Sequence, residues 1–167
     1  AQDLYLELAD WAKDAGVPLV CLHARFFKTD RDERVAELHE RFGPGSRGPA
    51  ILIATQVVEA GDDISCDHLL TELCPMNSLL QRAGRCARFE NESGVVHVYS
   101  LPEGERGYLP YGTLSNPDPT LAVTEETVRE REEWTMSPTL VERWIERVHG
   151  ERDAAAINQV GWISRLG

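Results

Sequence analysis

Ala50-Ile51-Leu52-Ile53-Ala54, with Thr55-Gln56 directly behind it, is the stretch that decides the fold. Five apolar residues in succession leave no polar face, the pattern of a strand covered on both sides, as in a parallel sheet. Val17 to Leu22 is a second short apolar run, Asp67 to Leu73 a third candidate strand and Gly94 to Ser100 a fourth. Helical patterns fall between them. In residues 1–15, Leu4, Leu8, Trp11 and Ala15 recur at helical spacing, with Gly16 and Pro18 as stop signals. A second helix is expected from Asp30, where Asp30 and Glu33 have capping-box spacing, with Val35, Leu38 and Phe42 on one face. A third is expected over Asn77 to Phe89. Strands alternating with helices predict an α/β fold with a mostly parallel sheet.

The texture changes after Ser100. Residues 102–119 hold four prolines and three glycines, a linker composition. From Leu121 to His149 the pattern is helical and acidic, with Trp134 and Trp144 as anchors. The expected organisation is therefore one α/β domain over 1–100, a linker over 101–120 and a mainly helical C-terminal extension over 121–167.

The 167 residues carry 28 acidic and 17 basic side chains, a net charge of −11. Such a chain is a poor binder of nucleic acid over its whole surface, though a local basic site is compatible with it. Fifteen of the basic residues are Arg, and only Lys13 and Lys28 are Lys, a bias that suits directed guanidinium contacts. No apolar run approaches the ~20 residues of a membrane-spanning helix, and the start at Ala1-Gln2-Asp3 reads as no signal peptide. The cysteines at 21, 66, 74 and 86 have neither C-x-x-C nor zinc spacing, so buried thiols in a reducing cytoplasm are expected, with no metal site.

In an open parallel sheet, ligands bind beyond the carboxyl ends of the strands. Three polar groups fall there: His23 and Arg25, then Thr55-Gln56 with Glu59-Ala60-Gly61-Asp62-Asp63, then Gln81-Arg82-Ala83-Gly84-Arg85-Cys86-Ala87-Arg88. On a helix, Arg85 would lie about 40° and Arg88 about 340° from Gln81, so the three would share one face. Paired guanidinium groups on a rigid support are the chemistry of phosphate recognition and transfer. The same residues are equally compatible with a solvated basic face, Gln81 closing a capping box on Ser78. Thr55 and Gly61 likewise fit ordinary turn chemistry. The chain has no G-x-x-x-x-G-K-S/T loop, no acidic box and no His-Asp dipeptide.

These residues resemble the second RecA-like domain of superfamily 2 helicases. Ala54-Thr55-Gln56-Val57-Val58-Glu59-Ala60-Gly61-Asp62-Asp63-Ile64 is similar to motif V, and Gln81 to Arg88 to motif VI in its Q-R-x-G-R-x-x-R form. Within that superfamily the chain resembles the helicase-nuclease of type I CRISPR interference. His23-Ala24-Arg25-Phe26 followed by Asp30-Arg31, the Ala-Thr-Gln-Val-Val-Glu form of motif V, and Asn77-Ser78-Leu79-Leu80 running into motif VI carry that narrower likeness. It covers residues 1–100 and is weak over 101–167. Asp62 departs from it, standing where many relatives have an apolar residue.

The resemblance implies a RecA-like fold and half of an ATP-dependent single-stranded DNA translocase of antiviral defence. It implies that Arg85 and Arg88 are arginine fingers on ATP bound by a first domain, with Gln81 ordering the phosphate or water. It implies that Asp63 and Gly61 lie at the nucleotide side, and that Thr55, Gly61, His23 and Arg25 approach the DNA. Magnesium would be held by the first domain. Partners would be that domain, a nuclease domain of the same polypeptide and the CRISPR surveillance complex, in the cytoplasm. The strand that precedes the first helix in such domains is missing, so a fragment is expected, inactive alone. Two other readings fit the residues: the same half of another superfamily 2 DNA or RNA helicase, and a non-enzymatic acidic interaction module.

Overall fold

The computed structural model describes residues 1–23, 28–46, 48–59, 63–101, 109–113 and 115–159. They form two compact units, one of Ala1–Leu69 with Gln81–Val96, the other of Leu70–Leu80 with His97–Gly167. The fold is α/β and RecA-like, with small parallel sheets flanked by helices.

The first unit opens with α1, Gln2–Ala15. Gly16 ends it at φ 67°, a left-handed geometry that a side chain would disfavour, and its N–H returns to the last-turn carbonyls. β1 (Leu19–Leu22), α2 (Lys28–Phe42) and β2 (Ile51–Ala54) form a β-α-β unit. The two strands are parallel, with Leu19 beside Ile51 and Leu22 beside Ala54. Val20, Leu22, Leu38, Phe42 and Ile64 make the core of this unit, with Leu52, Val57 and Val58 packed against it. β2 pairs only with β1 among the described residues, and of its four residues only Ile53 is buried, so it is less enclosed than its composition predicts. α2 begins at Lys28, which puts Asp30 inside the first turn rather than at the cap.

β3 (His68–Glu72) pairs with β4 (Val95–Tyr99). The bonds from Val95 N–H to the Asp67 carbonyl and from Leu73 N–H to the Tyr99 carbonyl run in the same sense along both strands, which makes them parallel. Between them lies α3, Met76–Ala83. Starting at Met76, it holds Ser78 inside the helix, so Ser78 does not cap it.

α3 also stops six residues short of Phe89, and this corrects the expected single helical face for Gln81, Arg85 and Arg88. The N–H groups of Arg85 and Cys86 bond back three residues, to Arg82 and Ala83, which tightens the end of the helix. Cys66 then captures the backbone: its N–H donates to the Arg85 carbonyl and its own carbonyl accepts from Ala87 N–H. The result is a parallel bridge between Cys66 and Cys86, with Ala87 at φ 50°. Arg85 therefore stands on a turn and Arg88 on irregular backbone just past the bridge, neither on a helix.

The second unit holds a short antiparallel pair, β5 (Gly112–Thr113) with β6 (Asn116–Pro117). Two helices follow, α4 (Pro119–Arg129) and α5 (Pro138–Gln159), where the sequence pattern reads as one. The break has a local cause: Ser137 precedes Pro138, a position that disfavours helix, and Pro138 has no N–H to continue one. Asp118 caps α4 by accepting from Thr120 N–H at 2.8 Å. Cys74, Met76, Leu79, Leu80, Leu140, Val141, Trp144 and Ile145 form the core here. Trp134 and Trp144 meet edge to face at 5.3 Å, so the expected anchors anchor each other. No helix among the described residues is long and apolar enough to cross a membrane.

Candidate functional site

The site is built where β2 ends. Thr55 is exposed, and its N–H continues the parallel ladder to the Leu22 carbonyl at 3.1 Å. A 3-10 helix, Gln56–Glu59, then turns the chain. All three arginines of the Gln81–Arg88 stretch meet this region or Asp63.

Arg82 Nε donates to Glu59 Oε1 at 2.8 Å. The side chains are only 17% and 13% exposed, so each charge depends on the other. Arg85 lies beside this pair, its Nε on the Val58 carbonyl and its Nη2 on the Glu59 carbonyl, both at 3.2 Å. These carbonyls end the 3-10 helix, where the partial negative charge of a helix terminus favours a cation. Arg88 Nη2 donates to Asp63 Oδ1 at 2.6 Å, and Nη1 to the Gly84 carbonyl at 3.3 Å. This pair is more open, with Asp63 68% exposed.

The Arg88 backbone is fixed as well. Its N–H donates to Ser65 Oγ at 2.9 Å, and Ser65 in turn donates to Glu92. Glu92 also accepts from Phe89 N–H. The Ser65 hydroxyl, helped by Phe89 N–H, holds the Glu92 carboxyl below its ordinary pKa. Under the arginines, burial pushes the Cys66 thiol up to about 12, and burial raises Cys86 too. Cys66 Sγ donates to the Arg85 carbonyl at 3.4 Å.

The structure thus brings Arg85, Arg88 and Asp63 to one region beside the turn after Thr55. Gln81 is half-buried near the end of α3 and not on a shared face with them. His23 is buried at the end of β1, its Nε2 3.0 Å from the side-chain nitrogen of Gln2. Arg25 and Gly61 lie outside the described residues, as does Asp62. Sequence reasoning passed over Arg82, Ser65 and Glu92, and it named Glu59 only within the polar stretch that follows the strand. A glutamate five residues past a strand and an arginine beside Gln81 carry no spacing that links them; only the fold does. The carboxylates that balance the arginines come from outside α3, from Glu59 and Asp63. Among the described residues no group of three acidic, histidine or cysteine side chains could hold a metal ion. The donor set is guanidinium and hydroxyl, which suits an anion.

Residues 1–91 match the family model described as CRISPR-associated nuclease/helicase Cas3, C-terminal. The chain belongs to this family. It is 30% identical to the CRISPR-associated endonuclease/helicase Cas3 of Escherichia coli K12 over 172 residues, covering 98% of this chain and 19% of that protein. The crystal structure of T. fusca Cas3-AMPPNP superposes with a TM-score of 0.70 at 28% identity, covering 99% of this chain and 21% of that one. A chain of a CRISPR RNA-guided surveillance complex in a pre-nicking state gives 0.66 at 29% identity, covering 99% and 22%. The chain therefore spans about a fifth of the length of these relatives. Family membership displaces the reading as half of another superfamily 2 helicase.

Proposed function

We propose that this chain supplies the second motor domain of an ATP-driven single-stranded DNA translocase in type I CRISPR defence. Residues 1–100 form that domain, 101–120 a linker and 121–167 a helical extension. The arrangement of Arg85, Arg88 and Asp63 around the turn that follows Thr55 carries the reading. Its partners are a first RecA-like domain and a nuclease domain of the same polypeptide, with the CRISPR surveillance complex as the recruiting assembly.

Arg85 and Arg88 would hold the γ-phosphate of ATP clamped against the first domain. ATP supplies the transferable phosphoryl group, and magnesium would be held by the first domain. Arg88 exchanges the exposed Asp63 carboxylate for the incoming phosphate, an anion of higher charge. Arg85 is oriented by the Val58 and Glu59 carbonyls, so its direction is set before phosphate arrives. Gln81 orders the phosphate or the attacking water, and Asp63 and Gly61 border the nucleotide. Arginine fingers contribute ~10³ to 10⁵ in rate in GTPases, or roughly 4–7 kcal/mol. Thr55, Gly61 and Arg25 would face the DNA backbone, which is contacted without reading bases, and His23, buried against Gln2, would support that edge from behind. The 3-10 helix lies between Thr55 and the Arg82–Glu59 pair, so strand movement and phosphate contact share one rigid connection.

The test is ATP turnover with and without single-stranded DNA, on this chain alone and on the complete polypeptide. The reading expects none from the chain alone and DNA-stimulated turnover from the complete protein. Robust hydrolysis by the chain alone would mean that a whole site lies within it and would overturn the reading.

A further inference from the structure

A second cluster of arginines stands in the other unit, around Trp134. The Trp134 indole N–H donates to the Val128 carbonyl at 3.0 Å, and Trp144 packs edge-on against its ring. Both interactions fix the indole plane. The guanidinium carbon of Arg131 lies 4.9 Å from the ring centre and that of Arg143 lies 6.0 Å from it. They open onto a cavity of about 310 Å³, lined also by Glu133, Ser137 and Thr139.

The charge pairing around this cavity is selective. Arg129 pairs with Glu125, and Arg147 pairs with Glu126 and Glu130. Arg131 and Arg143 form no ion pair with a described residue, in a chain with 28 acidic side chains. Stacking on an indole leaves the in-plane N–H donors of a guanidinium available to a ligand. Ser137 Oγ accepts from Leu140 N–H, which leaves its hydroxyl proton to donate. Glu133 is the one carboxylate in the wall, and Glu130, paired with Arg147, is close enough to feel both guanidiniums, so the surroundings are nearly balanced in charge. Such a site suits a phosphodiester, which carries one negative charge, better than a phosphate monoester, which carries nearly two.

We propose that the Arg131–Trp134–Arg143 cavity binds a backbone phosphodiester of single-stranded DNA. The inference rests on the reading of this chain as part of a single-stranded DNA translocase, and adds a contact outside the motif residues. A contact to the backbone alone carries no base preference.

The experiment is a titration of a labelled 20-mer oligothymidylate with the complete polypeptide between 50 and 200 mM salt. Arg131→Gln/Arg143→Gln should weaken binding about tenfold and flatten the log affinity against log salt slope by about 1. ATP affinity should not change. Thr139→Asp, which leaves the Trp134 stack intact and suits the first turn of α5, should weaken binding to a similar extent. Arg131→Lys/Arg143→Lys should fall between, keeping charge but losing the fork. Wild-type affinity and slope in the glutamine and aspartate variants would overturn the proposal. Competition by millimolar inorganic phosphate, with oligonucleotide binding unchanged in the variants, would assign the cavity to free phosphate and also overturn it. If the wild-type protein binds no oligonucleotide, the translocase reading itself fails. If it binds and the variants match it, only this cavity does.

Discussion

The Arg82–Glu59 pair is the least replaceable contact at the residue scale. Its charges are mostly buried, so removing one partner strands the other. Arg82→Ala or Glu59→Ala should each cost about 1–3 kcal/mol, discounted from fully buried pairs because some exposure remains. Arg82→Ala/Glu59→Ala should cost less than the two single losses together, and denaturant midpoints would measure this. Strict additivity would contradict the coupling. Cys66 makes a pH statement. Its folded pKa, about 12, lies above the unfolded value near 9.0. Below pH 9 the thiol is protonated in both states and pH has no leverage through it. From 9 towards 12 the unfolded chain releases the proton first, so stability should fall as pH rises. Cys66→Ala should flatten that decline, as followed by thermal unfolding at pH 8 to 11. At this scale the sequence showed which arginines cluster and not what they touch. The resemblance puts Arg85, Arg88 and Asp63 at the nucleotide side, but Glu59 and Arg82 meet across 23 residues through a turn that no local pattern encodes.

At the element scale, the end of α3 is where sequence and structure part. Gln81, Arg85 and Arg88 have helical spacing, and nothing local forbids a helix to Phe89. The competitor is Cys66, about twenty residues upstream, which takes the Arg85 carbonyl and the Ala87 N–H into a strand bridge. Non-local pairing of this kind is invisible to periodicity. The strands and α1 were legible because each is a short apolar run or a clean stripe bounded by glycine or proline. The bridge leaves little room beside it. A Cβ on Gly94 would lie 2.6 Å from Cys86 Sγ and 2.8 Å from the Asp67 carbonyl oxygen. Gly94→Ala should therefore destabilise by about 1–3 kcal/mol, as overpacking does. Adding Cys86→Ala should recover only part of that loss, because the carbonyl clash remains. Full recovery in a denaturation series would show that the sulfur alone matters.

At the scale of the whole molecule, each unit carries its own core, one built on Leu22 and Leu38, the other on Met76, Trp144 and Ile145. Leu38→Ala, at a fully buried position, should cost about 2–5 kcal/mol, which calorimetry would register. The acidic balance of the chain fits arginines gathered at two places, Arg85 with Arg88 and Arg131 with Arg143, rather than spread as a basic surface. Spanning about a fifth of its relatives' length, it carries the arginines of the Gln81–Arg88 stretch and no G-x-x-x-x-G-K-S/T sequence. The proposed function has Arg85 act on the transferring phosphoryl group of a nucleotide held elsewhere in the polypeptide. The measurement that tests it most directly is DNA-stimulated ATP hydrolysis by the complete protein carrying Arg85→Ala, with nucleotide affinity measured in parallel. The account predicts turnover reduced by about 10³ or more with affinity changed only a few-fold, because the finger acts mainly on the transition state. Turnover at the wild-type rate would contradict it.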